Sequence, residues 1–204
     1  MNWAIHAIAF SFAMTVTNLA LADEPEDCGL AITKPSYALP LNRAMQLREA
    51  GKLNDAEVEV KKVLTASPNN PRALYSMGMI LLERERLSEA AATMTKAVDV
   101  HDRCGAASGP LNSNIHNNIG YTNVLLGQYG SAAKSFETAL KAADLPPSSR
   151  TKALSNLGYV YFLTGDFESA KPVLADAVTQ HSSNAAYTLN LIKRVEAAKE
   201  RASP

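Results

Sequence analysis

The sequence predicts an all-α solenoid of about four helix-turn-helix repeats in series, closed by a further helix. Three observations carry that prediction. The segment NNIGYTNVLLGQYGSAAKSFETAL at 117–140 returns 38 positions later as SNLGYVYFLTGDFESAKPVLADAV at 155–178. Small residues keep fixed spacings. Gly78, Gly120 and Gly158 are each followed 12 residues on by Ala90, Ala132 and Ala170, and 7 further by Ala97, Ala139 and Ala177. Ala44, Ala56 and Val63 form a fourth set with the same spacings. Finally, 47% of residues are hydrophobic but only 6% aromatic, a mix suited to close-packed helices rather than sheets.

The chain opens with a segment of a different kind. MNWAIHAIAFSFAMTVTNLALA contains no Asp, Glu, Lys or Arg. Its apolar stretch from Ala4 to Val16 is shorter than the about 20 residues a membrane-spanning helix needs. It ends in Ala20-Leu21-Ala22, a small-residue cleavage pattern, and Asp23-Glu24-Pro25 follows at once. The expectation is a signal peptide over 1–22, cleaved after Ala22, delivering the chain to the periplasm. Because no Lys or Arg precedes the apolar run, an uncleaved anchor or a misplaced start codon is the competing account. The rest of the chain holds no apolar run long enough to span a bilayer. Residues 23–36 read as an N-terminal arm. Cys28 stands six residues beyond the expected cleavage site, not directly after it as a lipid-acceptor cysteine would.

The alanines Ala56, Ala90, Ala132 and Ala170 recur at 34, 42 and 38 residues. A 34-residue unit with two insertions accounts for this. The extra residues fall at 105–112 and 147–150, where Gly, Pro and Ser cluster as loop-formers do. The units therefore run 37–70, 71–104, 113–146 and 151–184. In the third, apolar residues at helical spacing end at Gly127, and a second helix starts after Tyr129 with Ala132, Phe136 and Ala139 on one face. Gly51, Gly127 and Gly165 stand at the turn between the two helices, where a left-handed helix cap favours glycine. The second repeat has Glu85-Arg86-Leu87 there. A small residue at the eighth position and Ala at the twentieth let two antiparallel helices approach closely. No such unit buries its apolar face alone, so units must stack. Residues 185–204 read as a capping helix and tail, with Tyr187, Leu191, Val195 and Ala198 expected on the inward face and Lys193, Arg194, Glu196 and Lys199 in solvent.

The third repeat's Gly120, Gly127, Tyr129, Ala132, Phe136 and Ala139, and the fourth's Leu154, Gly158, Tyr161, Gly165, Phe167, Ala170 and Ala177, resemble the tetratricopeptide repeat (TPR). The second repeat adds Leu74, Gly78, Leu87, Ala90 and Ala97. The first adds Gly51, Leu53, Ala56 and a terminal Pro68, but its leading helix is poor, with Pro40 and Arg43 at apolar positions.

The resemblance implies a concave groove lined by the first helix of each pair, with ligand contacts at positions 2, 5, 6, 9, 12 and 13 of the repeat. Carried over, the groove residues are Tyr75, Met79 and Leu82; Asn117, Asn118, Tyr121, Val124 and Leu125; and Lys152, Asn156, Tyr159 and Phe162. Tyrosine offers contact area at low entropic cost, and Asn can donate to and accept from a peptide backbone. The same residues also serve as plain repeat consensus, and that reading stays open. The variant of the family that grips a C-terminal carboxylate needs Asn at the ninth position. Here that position is Met79, Tyr121 and Tyr159, with Lys152 the one strong match, so that specificity is not expected. Repeat packing also puts the arm and the 105–112 insertion on one edge, where Cys28 and Cys104 could form a disulfide. An intermolecular bridge or two free thiols are the alternatives.

Lys+Arg and Asp+Glu are both 20, which disfavours a nucleic-acid footprint. The expected partner is a protein segment, and no cofactor is implied. Catalytic motifs are missing: there is no G-x-S-x-G, H-E-x-x-H or Gly-rich phosphate loop. His101 and Cys104 lie close in sequence, but two ligands do not make a structural zinc site. His116 reads as a packing residue. The expected function is a non-enzymatic adaptor of the bacterial cell envelope, with a narrower resemblance to exported TPR proteins of tight-adherence (Flp) pilus assembly. The alternatives are a cytoplasmic secretion chaperone and a redox or metal-assisted enzyme built on Cys104 and His101.

Overall fold

A computed structural model describes residues 35–104, 110–142 and 145–202. The leader, the arm up to residue 34 with Cys28, and insertion residues 105–109 lie outside the described residues. The described chain is helical with no strand: α1 Pro35–Glu49, α2 Leu53–Ala66, α3 Pro71–Glu83, α4 Leu87–Arg103, α5 Pro110–Leu125, α6 Tyr129–Leu140, α7 Pro147–Leu163, α8 Phe167–Thr179 and α9 Ser183–Ala202. Each leading helix (α1, α3, α5, α7) packs on its trailing partner, and each trailing helix packs on the next leading one. Leading helices also touch one another in sequence, which lines them up as one wall of an all-α superhelix.

The repeat signature has a direct packing cause. The twentieth-position alanines Ala56, Ala90, Ala132 and Ala170 are all fully buried. Four residues later, on the same helix face, stand the buried side chains Val60, Met94, Phe136 and Leu174. These fill the space over the eighth position. A Cβ on Gly78 would lie 2.4 Å from Met94 Cγ, on Gly120 2.7 Å from Phe136 Cε1, and on Gly158 2.4 Å from Leu174 Cγ. Glycine is thus required there by close approach. At the turns it is required by conformation: Gly51, Gly127 and Gly165 have φ of 71°, 72° and 77°. The second repeat makes the same turn without glycine, holding Glu85 at φ 58°.

Prolines mark helix starts. Pro71 is the first residue of α3, behind Asn70, whose side chain accepts a hydrogen bond from the Ala73 N–H at 3.0 Å. A proline at the first helical position loses no helical hydrogen bond and arrives with φ preset. The same residue type explains a difference from the sequence reading. Residues 147–150, expected as an inserted loop, are the first turn of α7, which starts at Pro147. Likewise α5 starts at Pro110, within the expected 105–112 insertion. The first leading helix, α1, is a full 15 residues with Pro40 inside it.

The terminal helix differs in its inward face. α9 buries Ala185, Thr188 and Ile192, with Leu189 packed beside them, while Tyr187 is 66% exposed. The expected inward stripe is therefore not the buried face: Tyr187 and Ala198 are exposed, and Leu191 and Val195 are half-buried. α9 carries two apolar stripes, and contact with α8 and α7 selects the one built of smaller residues.

Candidate functional site

In the third and fourth repeats, the second, fifth, sixth and ninth positions of the leading helices supply residues that line one cleft, and the ninth and thirteenth are exposed. These positions form two layers. The ninth and thirteenth positions of the third and fourth repeats give an apolar floor: Tyr121 is 45% exposed, Leu125 48%, Tyr159 42% and Leu163 37%. Tyr159 stacks on Phe162 with centroids 6.2 Å apart, and Phe162 on Phe167 at 6.0 Å. The stack ties the floor to the α7–α8 turn. Large apolar side chains held half in water by a rigid helix wall are a surface that gains by being covered.

The second layer is polar and bridges neighbouring helices. Asn118 Nδ2 on α5 donates to Tyr75 Oη on α3 at 2.7 Å. Burial pushes the Tyr75 phenol above its ordinary pKa, keeping it a neutral hydroxyl. Asn156 Nδ2 on α7 reaches Asn117 Oδ1 at a long 3.5 Å, and Ser149 Oγ donates to Asn114 Oδ1 at 3.0 Å. Ser155 Oγ lies 2.7 Å from Ser182 Oγ, which in turn accepts from the Ala185 N–H at the start of α9. This ladder fixes the spacing of α3, α5, α7 and α9 and leaves amide groups facing the groove.

Two clefts open along the wall. One, of about 230 Å³, lies between α1 and α3. Leu41, Met45 and Met79 give it an apolar lining, with Arg48, Arg72 and Tyr75 among its polar groups. Arg48 is held by Glu83 at 2.6 Å. The other, of about 280 Å³, is lined by Asn117, Asn118, Tyr121, Lys152 and Asn156, with Thr151, Ser155, Ser182 and Asn184.

Most of the sequence-derived groove residues gather on this wall. Tyr75 and Met79 lie in the first cleft, Asn117, Asn118, Tyr121, Lys152 and Asn156 in the second, and Leu125 and Tyr159 on the floor. The twelfth-position residues behave differently. Leu82, Val124 and Phe162 are half-buried and pack onto core clusters, so they hold helices together more than they face outward. Sequence patterning does not single out Met45 and Arg48, although they occupy the ninth and twelfth positions of the first repeat. The misleading signal was Pro40 and Arg43, which made α1 look incomplete. The groove positions of the repeat register do not reach Ser182, just before α9, or Asn184, in its first turn.

The residues considered for chemistry sit elsewhere. His101 is buried, and its pKa is lowered by that burial, with Asp102 opposing. Half-buried His116 is lowered in the same way. Cys104 packs at the end of α4 beside the second repeat's core. Its expected partner Cys28 is outside the described residues. Among the described residues, no cluster of three or more His, Cys, Asp or Glu side chains is placed to hold a metal ion. Among them too, no helix is long and apolar enough to cross a membrane.

Two family models, each described as tetratricopeptide repeat, match residues 69–144 and 119–185. No curated protein sequence gives a significant match. Among solved structures, BtubC (BKLC) from P. vanneervenii is 18% identical with TM-score 0.65, over 71% of this chain and 63% of that one. A tetratricopeptide repeat protein from Parabacteroides merdae ATCC 43184 is 20% identical with TM-score 0.63, over 81% of this chain and 62% of that one. The nearly identical TPR-like repeats of a putative kinesin light chain from Podosopora anserina are 14% identical with TM-score 0.64, over 88% and 90%. The chain thus spans under two thirds of the length of the first two. At these identities the likeness is one of fold.

Proposed function

The chain belongs to the tetratricopeptide-repeat family, and from that premise we propose that it is a non-enzymatic adaptor that docks a segment of a protein partner in its concave groove. The observation that carries this reading is the floor of Tyr121, Leu125, Tyr159 and Leu163, four large apolar side chains left 37–48% exposed on one rigid wall. A partner segment laid across it removes that apolar surface from water, at about 25 cal/mol per Å². The amides of Asn117, Asn118 and Asn156 beside it suit hydrogen bonding to a main chain.

The place of action in this reading is the bacterial periplasm. Support comes from the sequence: the uncharged apolar leader and its Ala20-Leu21-Ala22 pattern. In an oxidising compartment the two cysteines, Cys28 and Cys104, join as a disulfide tying the arm to the end of the second repeat. Closing a loop of that length stabilises by about 4 kcal/mol in the chain-entropy model. Within the envelope, assembly of a pilus or a secretion system is the service that an exported short array of this layout fits.

The test is a crosslinking pull-down from envelope fractions with tagged wild type and the Tyr121→Ala/Tyr159→Ala variant. The expected result is a partner captured by wild type and lost from the variant, with helicity and melting nearly unchanged. A partner kept equally by both would move the site off the groove. A tagged chain that never reaches the envelope would overturn the periplasmic reading.

A further inference from the structure

α9 is more than an end cap. It repeats the packing of a leading helix: it lies against trailing helix α8 and against leading helix α7, as α7 lies against α6 and α5. Its buried residues give the register. Ala185 and Ile192 are 0% and 1% exposed. They match Ala153 and Val160 of α7, at 0% and 1%, which hold the third and tenth positions of their repeat. The matched ninth and thirteenth positions of α9 are then Leu191 and Val195, both half-buried, and the fifth is Tyr187, 66% exposed. These are the stripe that sequence periodicity assigned to the core. Register instead extends the groove floor by one helix. The row Tyr121, Tyr159 continues to Leu191, and the row Leu125, Leu163 continues to Val195.

The charges on this half of the wall have one sign. α5 contains no Asp, Glu, Lys or Arg. α7 contains Arg150 and Lys152 and no acid. α9 brings Lys193 and Arg194 before its first acid, Glu196, which is engaged by Lys171 at 2.7 Å. Among the described residues, no ion pair involves Lys152 or Arg194. The opposite half is mixed: Arg48 and Arg72 line its cleft, and Glu49 and Glu83 hold the thirteenth positions of α1 and α3, where α5, α7 and α9 carry Leu125, Leu163 and Val195.

We infer that the α5–α7–α9 half of the wall is the docking surface proper, and that its occupant is an acidic, apolar-anchored protein segment running across all three helices. Apolar anchors cover the two rows, and carboxylates flanking them meet Lys152 and Arg194. Internal carboxylates satisfy this arrangement, so a free chain terminus is not required. The inference rests on the groove reading above and narrows it to one half and one chemistry.

The experiment is selection of a displayed random peptide library on the full chain, followed by fluorescence anisotropy of the enriched peptides. The expected peptides combine Leu, Ile or Phe anchors with Asp or Glu, and bind equally as free acids or C-terminal amides. Their affinity is expected to fall at least about tenfold with Tyr187→Ser and again with Lys152→Glu/Arg194→Glu, and to be unchanged with Val58→Ala, an exposed position on trailing helix α2. Melting and helicity of each variant are measured alongside; Tyr187 is exposed, so its removal leaves the fold intact. Enrichment of basic or uncharged peptides overturns the charge assignment. Acidic peptides that need Tyr121 and Tyr159 but ignore Tyr187→Ser overturn the role of α9 while sparing the groove reading. Peptides indifferent to Tyr121 and Tyr159 overturn the groove reading itself. Loss on amidation, or displacement by a second copy of the chain, replaces the proposed occupant.

Discussion

Gly158→Ala adds one methyl group at the tightest point of the fourth repeat. Its carbon would lie 2.4 Å from Leu174 Cγ and 2.5 Å from Cδ2, where nonbonded carbons settle at about 3.5–4.0 Å. Leu174 is fully buried in the cluster of Leu154, Ala177, Ala185 and Ile192, so moving it disturbs that packing. Overpacking of this kind costs about 1–3 kcal/mol. Against it stands the gain of replacing an interior helical Gly by Ala, about 1 kcal/mol. The net expectation is a loss of about 1 kcal/mol. Leu174→Ala alone leaves a cavity and costs about 2–5 kcal/mol. In that background the obstruction is gone. Gly158→Ala then contributes its helix propensity and about 0.8 kcal/mol of methyl burial, so it stabilises by about 1–2 kcal/mol. The same substitution therefore changes sign between backgrounds, with a coupling on the order of 2–3 kcal/mol. Urea unfolding of the four proteins followed by circular dichroism measures it. If Gly158→Ala stabilises both backgrounds alike, close approach is not what keeps glycine at the eighth position.

Two further outcomes follow from backbone and burial. Glu85→Gly removes a left-handed residue that lacks glycine's freedom, a strain of about 1–2 kcal/mol, partly offset by the greater freedom of the unfolded chain. A net stabilisation of about 0.5–1 kcal/mol is expected in urea unfolding, whereas Gly165→Glu should destabilise. His101 and His116 both titrate below the ordinary histidine range because burial penalises their charged forms. The unfolded chain then binds their protons at higher pH than the folded one. Their contribution is present above about pH 6.5 and is lost as pH falls through the lowered folded values. Urea midpoints should drop between pH 7.5 and 5.5, and His116→Gln should flatten that drop.

What was legible in the sequence was whatever small residues dictate locally. Gly78, Gly120 and Gly158 against Ala90, Ala132 and Ala170 disclose a helix-pair distance, and Gly51, Gly127 and Gly165 disclose a turn conformation. Both are properties of single positions repeated in register. The glycines' actual neighbours, Met94, Phe136 and Leu174, sit on a different helix and needed the structure. Proline carries two opposite signals. Pro147 stands among loop-forming neighbours, yet the missing N–H that breaks a helix interior is harmless at the first residue of α7. In α9, periodicity found an apolar stripe but could not choose between two. Ala185, Thr188 and Ile192 are smaller on average than Tyr187, Leu191 and Val195, so the hydrophobic pattern favoured the wrong face, and contact with α7 and α8 decided it. The groove residues came from repeat register. Their division into exposed Tyr121 and Tyr159 and packed Leu82 and Val124 came from the neighbouring cores.

The central claim is that partners dock on the concave wall. A photo-reactive phenylalanine analogue placed at Tyr159 tests it against the same analogue at Val58, which is 55% exposed on trailing helix α2. Irradiation in cells should give a discrete protein adduct from the Tyr159 position, mapped to one segment of one partner, and none from Val58. A shared adduct, or one from Val58 alone, would contradict the account.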